Sequence, residues 1–573
     1  MNVTEPRVGG KTLIIVPELC NPSTDEYHKW YRFPHNPLYV ASYLRATGVD
    51  VDMLNLNHCG NQELQKVLTS QHYDYVYTGG NDSDGYAIHR LIPDLRSISG
   101  DSIIIVGGLL GFTHPEYVCN TFQPDYLVTG ESEVTVLRLI SQLSKDEPIG
   151  EVPGLAFLDG DGFCTTGVAP RIRDLDSIPF PDYEGFGYDY YVDKFSYEWA
   201  YQGMLDVSDE SVRCGFVQGS RGCFATCTFC RVGQMKYSFR SIDNLMLETK
   251  HLMSKFNVNR IEFVDEVFAA KKERVYELCE KIAPLGIDWT IQLRVNLVDQ
   301  ELLSTMKASG CIHIVYGYES MDDDLLGIMQ KGVTSAEIEY AVRATKDAEI
   351  TAHGNFIFGH PGETEQSIDK TLSFYRENRS YCFGLAMTLP LPGSTIFESL
   401  EKQSGDGDHL MRYFGHPSNE DFVNFSEVSD RKLEWVKFIM GMEPAVNRVR
   451  KYDFVKPFDR GYIVDLDCPV CSQKIVRQKI YLNRAEMYAP IGIDIVRCVC
   501  PHCLQKFYHD MYRVKHNGAW LGIILNDVWL SIMYVIARFV MPLPIPKPIR
   551  NMGRNIFGLI ARAFSSVSRP LIS

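Results

Sequence analysis

Three things are scarce in this chain, and each scarcity excludes a class. The amino terminus, Met1-Asn-Val-Thr-Glu-Pro6, lacks the basic-then-apolar pattern of a secretory leader, so export is not expected. Positive charge is in deficit: 57 Lys and Arg face 72 Asp and Glu, a net charge of −15 that makes nucleic acid an unexpected partner. Uninterrupted long apolar runs are missing as well. The most apolar stretch, Trp520 to Met541, is broken by Asn526, Asp527 and Arg538. A charge at the centre of a span costs on the order of 3 kcal/mol, which argues against a simple transmembrane helix. Cysteine, by contrast, is plentiful. The sixteen cysteines cluster at metal-ligand spacings and point to a reducing cytoplasm rather than a secreted disulfide scaffold. A hydrophobic content of 45% over 573 residues allows three or four globular domains.

The chain is organised around Gly219-Ser-Arg-Gly-Cys-Phe-Ala-Thr-Cys-Thr-Phe-Cys230. Cys223, Cys227 and Cys230 stand at C-x3-C-x2-C spacing just after an apolar run ending near Val217. A four-iron cluster takes four ligands, most often thiolates, so three on one loop leave one iron open. The alternative is a structural metal loop.

The pattern is α/β on both sides of this stretch. Residues 1–150 alternate buried apolar strands with helical spacings: Thr12–Val16, Val51–Leu54, Tyr75–Tyr77, Ser102–Val106 and Tyr126–Val128 are strand candidates. Continuous apolar strands separated by helices predict a Rossmann-like parallel sheet covered on both faces. Its ligand would lie at the carboxyl ends of the strands, beside Gly79-Gly80, Gly107-Gly108 and Gly130-Glu131. Residues 151–212 read as a connector whose aromatic, acidic second half lies over the mouth of the next domain. Residues 213–400 give six more strand–helix units, a partial (β/α)6 barrel of the TIM type. Its strand ends carry Asp265 and Glu266, Arg294 and Asn296, Glu319 and Ser320, and Gly359-His-Pro-Gly-Glu-Thr364. Residues 401–460 are expected to extend the barrel with helix. The lone Cys214, Cys279, Cys311 and Cys382 read as buried packing.

Together these features resemble the radical S-adenosylmethionine (SAM) enzymes that carry an N-terminal cobalamin-binding domain. The likeness rests on the three cysteines, on Ser309-Gly-Cys-Ile-His-Ile-Val-Tyr-Gly-Tyr-Glu-Ser320 with Met329-Gln-Lys-Gly332, and on Ile104-Ile-Val-Gly-Gly108, Thr113-His-Pro-Glu116 and Asp125 to Glu133. It implies that Cys223, Cys227 and Cys230 hold a [4Fe-4S] cluster whose open iron binds SAM. Asp265 and Glu266 would then receive SAM's ammonium. Glu319 would meet the ribose or the substrate, and the chain near Gly354 to Gly359 would frame the adenine. Gly107, Gly108, Thr113, Gly130, Glu131, Arg294, Gly359 and Glu363 would complete the cofactor contacts. The D-x-H-x-x-G motif, whose histidine coordinates cobalt in other cobalamin proteins, is absent, and His58 in Asn57-His-Cys-Gly60 reads as a loop histidine. The lower cobalt face would therefore not be held by an imidazole.

Two C-terminal segments stand apart. Cys468-Pro-Val-Cys471 and Cys500-Pro-His-Cys503 are paired knuckles within 461–515, a zinc-ribbon or rubredoxin-like module for zinc or a mononuclear iron, with Cys498, His502 and His509 as spare donors. After Trp520–Met541 and a proline-rich breaker, residues 549–567 place apolar residues on one helical face and Arg550, Arg554 and Arg562 on the other. This amphipathic tail, 519–573, either lies on a membrane surface or packs on the protein itself. The expected function is cobalamin-dependent methyl transfer to an unactivated carbon of a small-molecule or lipid substrate. A flavodoxin or ferredoxin would supply electrons in the cytoplasm, with peripheral attachment at the inner face of the cell membrane if the tail binds lipid. The alternatives are a radical SAM cyclase, oxidase or carbon–carbon coupling enzyme, and a non-catalytic cobalamin or metal sensor.

Overall fold

The computed structural model describes residues 9–18, 33–81, 84–160, 162–194, 212–378, 381, 384–404, 424–437, 449, 452–458, 461–481, 486–488, 493–500, 502–503 and 506–510. The tail at 519–573, Cys382 and the loop at 405–408 lie outside these residues.

The first sheet is built from β1 (Lys11–Val16), β2 (Asp50–Asn55), β3 (Tyr75–Gly80), β4 (Ile103–Gly108) and β5 (Tyr126–Val128). Leu13, Ile14, Ile15, Val76 and Tyr77 are all fully buried, because helices cover both faces. The order β2-β1-β3-β4-β5 is parallel and reverses direction between β1 and β3. Such a reversal opens a crevice at the carboxyl ends of the strands. The sheet does not stop at residue 150. β6 (Leu155–Asp159) and β7 (Gly162–Thr165) add an antiparallel hairpin beyond β5, so the first part of the connector belongs to this domain.

Six parallel strands form the second sheet: β8 (Cys214–Val217), β11 (Arg260–Phe263), β12 (Asp288–Gln292), β13 (Cys311–Glu319), β14 (Thr351–Phe358) and β15 (Gly384–Met387), neighbours in chain order. Helices return the chain between them, several held at their N-termini by side-chain caps such as Ser241, Asp299, Thr334 and Thr364. Between β8 and helix Ile242–Phe256 the chain makes a short hairpin, β9 (Ser220–Arg221) and β10 (Ser238–Phe239). The cysteine loop is strung between those two strands.

The described part of the aromatic connector is not over the barrel mouth. Tyr183, Phe186, Tyr188 and Tyr191 are buried with Phe33 of the first domain and Phe216 of β8. Tyr188 and Phe256 meet edge to face at 5.0 Å. Burying such large apolar rings outweighs leaving them in a solvated lid, and they cover the outer edge of β8.

Beyond the barrel, a helix at 430–437 buries Leu433 and Val436 in the barrel's core. Two separate antiparallel sheets follow: β16 (Phe454–Phe458), β17 (Gly461–Asp467) and β18 (Lys474–Tyr481), then β19 (Glu486–Tyr488), β20 (Ile493–Val499) and β21 (Lys506–Asp510). Strand structure thus begins at 454, inside the stretch expected to extend the barrel with helix. No helix among the described residues is long and apolar enough to cross a membrane.

Candidate active site

The carboxyl ends of the two parallel sheets face one another across a cavity of about 470 Å³. Gly79, Gly80, Gly108 and Gly130 form its wall on the first domain, and Glu262, Asp265, Glu266 and Gln292 form it on the barrel. Glycine is required by the backbone at Gly108, which has φ +86° and where a Cβ would fall 2.2 Å from the Gly80 carbonyl oxygen. The Cβ positions at Gly79, Gly80 and Gly130 are likewise taken by Asn36, Asp84 and Ala169, so glycine lets these strand ends pack closely on their own domain.

Asp265 is the most constrained acid here. It is buried, its Oδ1 accepts a hydrogen bond from Ser220 Oγ, and its Oδ2 is enclosed without a partner. Burial pushes its pKa up to about 6, opposed by the Ser220 bond and the Arg274 charge. Glu266 is exposed in the same cavity, and its carbonyl oxygen accepts from Gln292 Nε2 at 2.8 Å. An unsatisfied carboxylate oxygen beside an exposed carboxylate is a fitting receptor for an ammonium group.

The cysteine loop is braced from three sides. Thr228 N donates to Met329 O at 3.0 Å, and Thr226 Oγ1 donates to Gln330 Oε1 at 3.3 Å. Thr228 Oγ1 lies 2.9 Å from His360 Nε2. Ile396 N donates to Thr228 O at 3.2 Å. His360 Nδ1 sits 2.8 Å from the Pro361 carbonyl oxygen, which can only accept. Nδ1 therefore carries the proton, and Nε2 accepts from the Thr228 hydroxyl. Cys227 is buried, and Cys223 and Cys230 are half-buried. Burial pushes the Cys227 thiol pKa up, and the positive charges of Lys331 and Arg294 oppose that rise. Three thiols on one braced loop, with cations beside them and no fourth cysteine in the motif, fit a four-iron cluster with one open iron.

The remaining expected residues fall into four groups. Gly108, Gly130 and Glu131 line the cavity, but Glu131 is already engaged: it accepts from Ile172 N at 2.9 Å and pairs with Arg221 at 3.5 Å. Glu319 and Arg294 stand behind the cysteine loop. Glu319, at φ +66° where the β13 register shifts, pairs with Lys331 at 2.7 Å rather than with Arg294. Arg294 donates to the carbonyl oxygens of Lys331 and Gly332 and lies 5.9 Å from the Phe224 ring. Glu363 is buried, accepts from Gly359 N, and has its pKa pushed to about 8 by burial. It fixes the turn that carries His360. Gly107 and Thr113 are packing positions. A Cβ on Gly107 would meet the Tyr77 and Ser132 oxygens, and Thr113 sits against Gly393, where a Cβ would lie 2.5 Å from Thr113 Cγ2.

Several residues here carry no assignment from sequence. Arg221 joins the domains: it pairs with Glu133 at 2.6 Å and with Glu131, and its guanidinium lies 5.0 Å from the Tyr39 ring. It stands inside the cysteine stretch, two residues before Cys223, so its position was visible although its role was not. His35 lines the cavity with its ring edge-on to Phe33 at 4.7 Å, and burial holds its pKa down at about 3. His58 does not line the cavity; it packs against Phe186 and Tyr190.

Residues 217–375 match the radical SAM superfamily. The barrel is a radical SAM domain. The chain is also similar to curated proteins over longer stretches. It is 25% identical over 342 residues to an uncharacterized methyltransferase of Pyrococcus horikoshii, covering 59% of this chain and 71% of that protein. It is 26% identical over 509 residues to the anaerobic magnesium-protoporphyrin IX monomethyl ester cyclase of Rubrivivax gelatinosus, covering 84% of this chain and 80% of that one. Among solved structures, the radical SAM methyltransferase TsrM of Kitasatospora setae, with cobalamin and a [4Fe-4S] cluster bound, superposes with a TM-score of 0.56 at 18% identity. The match covers 68% of this chain and 78% of TsrM, and it shows a shared fold.

At the C-terminus, Cys468, Cys471, Cys500 and Cys503 bring their sulfurs within 4.8 Å of one another. Cys498 is buried in the core of this module, outside the group of four. His509 is buried between Tyr452 and Gln478, and His502 turns its Nε2 to the Lys474 carbonyl oxygen.

Proposed function

We propose that this radical SAM enzyme is a cobalamin-dependent methyltransferase acting on an unactivated carbon, with its C-terminal cysteines holding zinc or a single iron. The observation that carries the reading is the single cavity between the two sets of strand ends. It is lined by Gly79, Gly80, Gly108 and Gly130 among polar side chains on the Rossmann-like side and by Asp265 and Glu266 on the barrel side. When bound, the cluster would supply one-electron cleavage of SAM to a hydrogen-abstracting radical, and cobalamin would supply the methyl group.

The chain's own part is binding, orientation and exclusion of water. Cys223, Cys227 and Cys230 would ligate the cluster. Asp265 and Glu266 would take the SAM ammonium, and Gln292 holds their turn in place. Gly79, Gly80, Gly108 and Gly130 would accept the corrin against backbone, at the crevice where the strand order reverses between β1 and β3. Arg221, paired with Glu131 and Glu133, keeps the two halves of the cavity in register. Electrons would come from a low-potential flavodoxin or ferredoxin.

The similarity to methyltransferases supports methyl transfer, whereas the similarity to the Rubrivivax cyclase favours radical chemistry without it. One experiment separates them. Protein isolated anaerobically is assayed for corrinoid, then turned over with SAM labelled in its methyl group. Stoichiometric corrinoid with label in a carbon-methylated product supports the proposal. Cleavage of SAM to 5′-deoxyadenosine with no label transferred and no corrinoid bound supports the cyclase-type reading.

A further inference from the structure

Among the described residues, the C-terminal cysteines are a donor set the radical chemistry does not use, and their arrangement is specific. Cys468 and Cys503 sulfurs are 3.9 Å apart, and those of Cys471 and Cys500 are 3.7 Å apart. A tetrahedral ion with bonds of about 2.3 Å sets its sulfurs about 3.8 Å from one another. Each knuckle also points a backbone N–H at its first sulfur: Val470 N to Cys468 Sγ and His502 N to Cys500 Sγ, both at 3.4 Å. Such bonds lower the charge on a thiolate and suit it to a metal. All four ligands come from protein, which leaves no position for a substrate or water.

The placement of the four residues says what an ion would do there. Cys468 and Cys471 lie in the turn between β17 and β18, and Cys500 and Cys503 lie between β20 and β21. Those strands belong to different three-stranded sheets, and no strand pairing joins the sheets among the described residues. The core they share is small: Val464, Leu466, Ile475, Ile480 and Phe507 with a few neighbours. Modules of this size rarely hold together on apolar burial alone and depend on a staple. The four sulfurs, two from each sheet, are that staple.

Position also decides between metals. The cluster loop sits at the carboxyl ends of the barrel strands. The chain leading to the ribbon starts there too, with Phe425 N donating to Gly359 O. It then runs down the outside: Lys432 pairs with Asp369 of helix Glu365–Glu377 at 2.7 Å. At the far end, burial and then Asp347 raise the Tyr381 pKa, and Cys503 adds a smaller push, which puts Cys503 on the Tyr381 side of the barrel. Tyr381 precedes β15, so it marks the amino ends of the strands. The closed site is therefore at the opposite end of the barrel from the cluster, a poor place for an electron relay.

We propose that Cys468, Cys471, Cys500 and Cys503 hold one zinc ion that closes the C-terminal ribbon and takes no part in electron delivery. The test uses the full chain, isolated anaerobically, together with a variant carrying Cys223→Ala, Cys227→Ala and Cys230→Ala. Stoichiometric zinc in both proteins, with an X-ray absorption spectrum of four sulfurs at about 2.3 Å, is the expected result. The variant should lose only iron. Stoichiometric iron retained in the variant, with a high-spin ferric EPR signal, would overturn the assignment. A second measurement avoids variants of the ribbon that fail to fold. Zinc is withdrawn from the wild-type protein with a chelator while the cluster's absorbance is followed. SAM cleavage should stay within about twofold while protease sensitivity rises across 452–510. Cleavage that falls with the zinc while the cluster persists would show that the site does act on the chemistry.

Discussion

The chain gathers cysteines twice, and the two sites differ in what they leave open. At Cys223, Cys227 and Cys230 there are three thiols on one loop, next to a cavity whose wall holds an unpartnered buried carboxylate oxygen. At Cys468, Cys471, Cys500 and Cys503 there are four, contributed in pairs by two sheets, with the neighbouring histidines turned to other partners. A complete ligand set makes a staple; an incomplete one beside a pocket makes a reaction centre. The supports differ in the same sense. The four-cysteine group relies on its own knuckle N–H groups. The three-cysteine loop borrows its braces from distant segments, Met329, Gln330, His360 and Ile396. Those braces tie the loop to segments that follow β13, β14 and β15.

The largest effect should come from completing the contrast by deletion. Cys230→Ala should reduce SAM cleavage to background and lower the iron content, with the C-terminal metal untouched. Quantifying 5′-deoxyadenosine alongside both metals checks this, and cleavage surviving in the variant would remove the distinction between the two sites. Next comes Arg221→Met. Arg221 and Glu133 are both largely enclosed at the domain boundary, and removing the cation leaves Glu133 buried without its partner. Breaking a buried pair in this way costs about 3–5 kcal/mol, so chemical denaturation should show an earlier transition for the N-terminal domain. The four-cysteine ribbon should keep its own transition.

How much of this contrast was legible in the sequence depends on how local each feature is. Both cysteine sets were readable because their spacing is local. The eleven main strands were readable because burial on both faces gives continuous apolar runs, as in Leu13–Val16 and Ile104–Val106. The hairpin β6–β7 and the ribbon strands were not, because half-exposed strands such as Phe454–Phe458 lack that signature. The site was legible in part. Asp265 and Glu266 sit at the cavity as expected, since they end a strand. Arg294, Glu319 and Glu363 sit nearby but spend their charges or hydrogen bonds on the scaffold around Lys331 and Gly359. Whether a strand-end acid faces a ligand or a lysine twelve residues on is a tertiary fact, and no local pattern encodes it. The Thr228–His360 contact, 132 residues apart in sequence, is of the same kind.

That contact gives a sharper test of the borrowed braces. His360→Leu removes the acceptor for the Thr228 hydroxyl and should lower cluster-dependent SAM cleavage by about 10–100-fold, as losses of groups that orient metal ligands commonly do. His360→Gln keeps an oxygen near the Nε2 position and should recover part of it. The readout that separates orientation from simple unfolding is the EPR spectrum of the reduced cluster, which should change in the leucine variant and return toward wild type in the glutamine variant. An unchanged spectrum in all three would mean the loop is held without His360.

The smallest expected effect concerns the cavity side of the open site. Asp265 has a pKa raised to about 6, chiefly by burial, and the carboxylate is the form an ammonium needs. The sign follows directly. In a group whose folded pKa is raised, the proton stays on to a higher pH, and ionisation against the burial penalty is complete only above that pH. A bound cation favours the ionised form, so SAM affinity should strengthen as pH rises through 6 and weaken below it. Between pH 7 and pH 5 the ionised fraction falls by about tenfold, and the Kd for SAM should rise by a similar factor. Asp265→Asn should bind more weakly at pH 7 and lose this dependence, because its amide stays neutral throughout. Calorimetric titration of SAM into the cluster-loaded enzyme at both pH values checks it. A wild-type Kd that stays flat across that interval would place the ammonium on the exposed Glu266 instead.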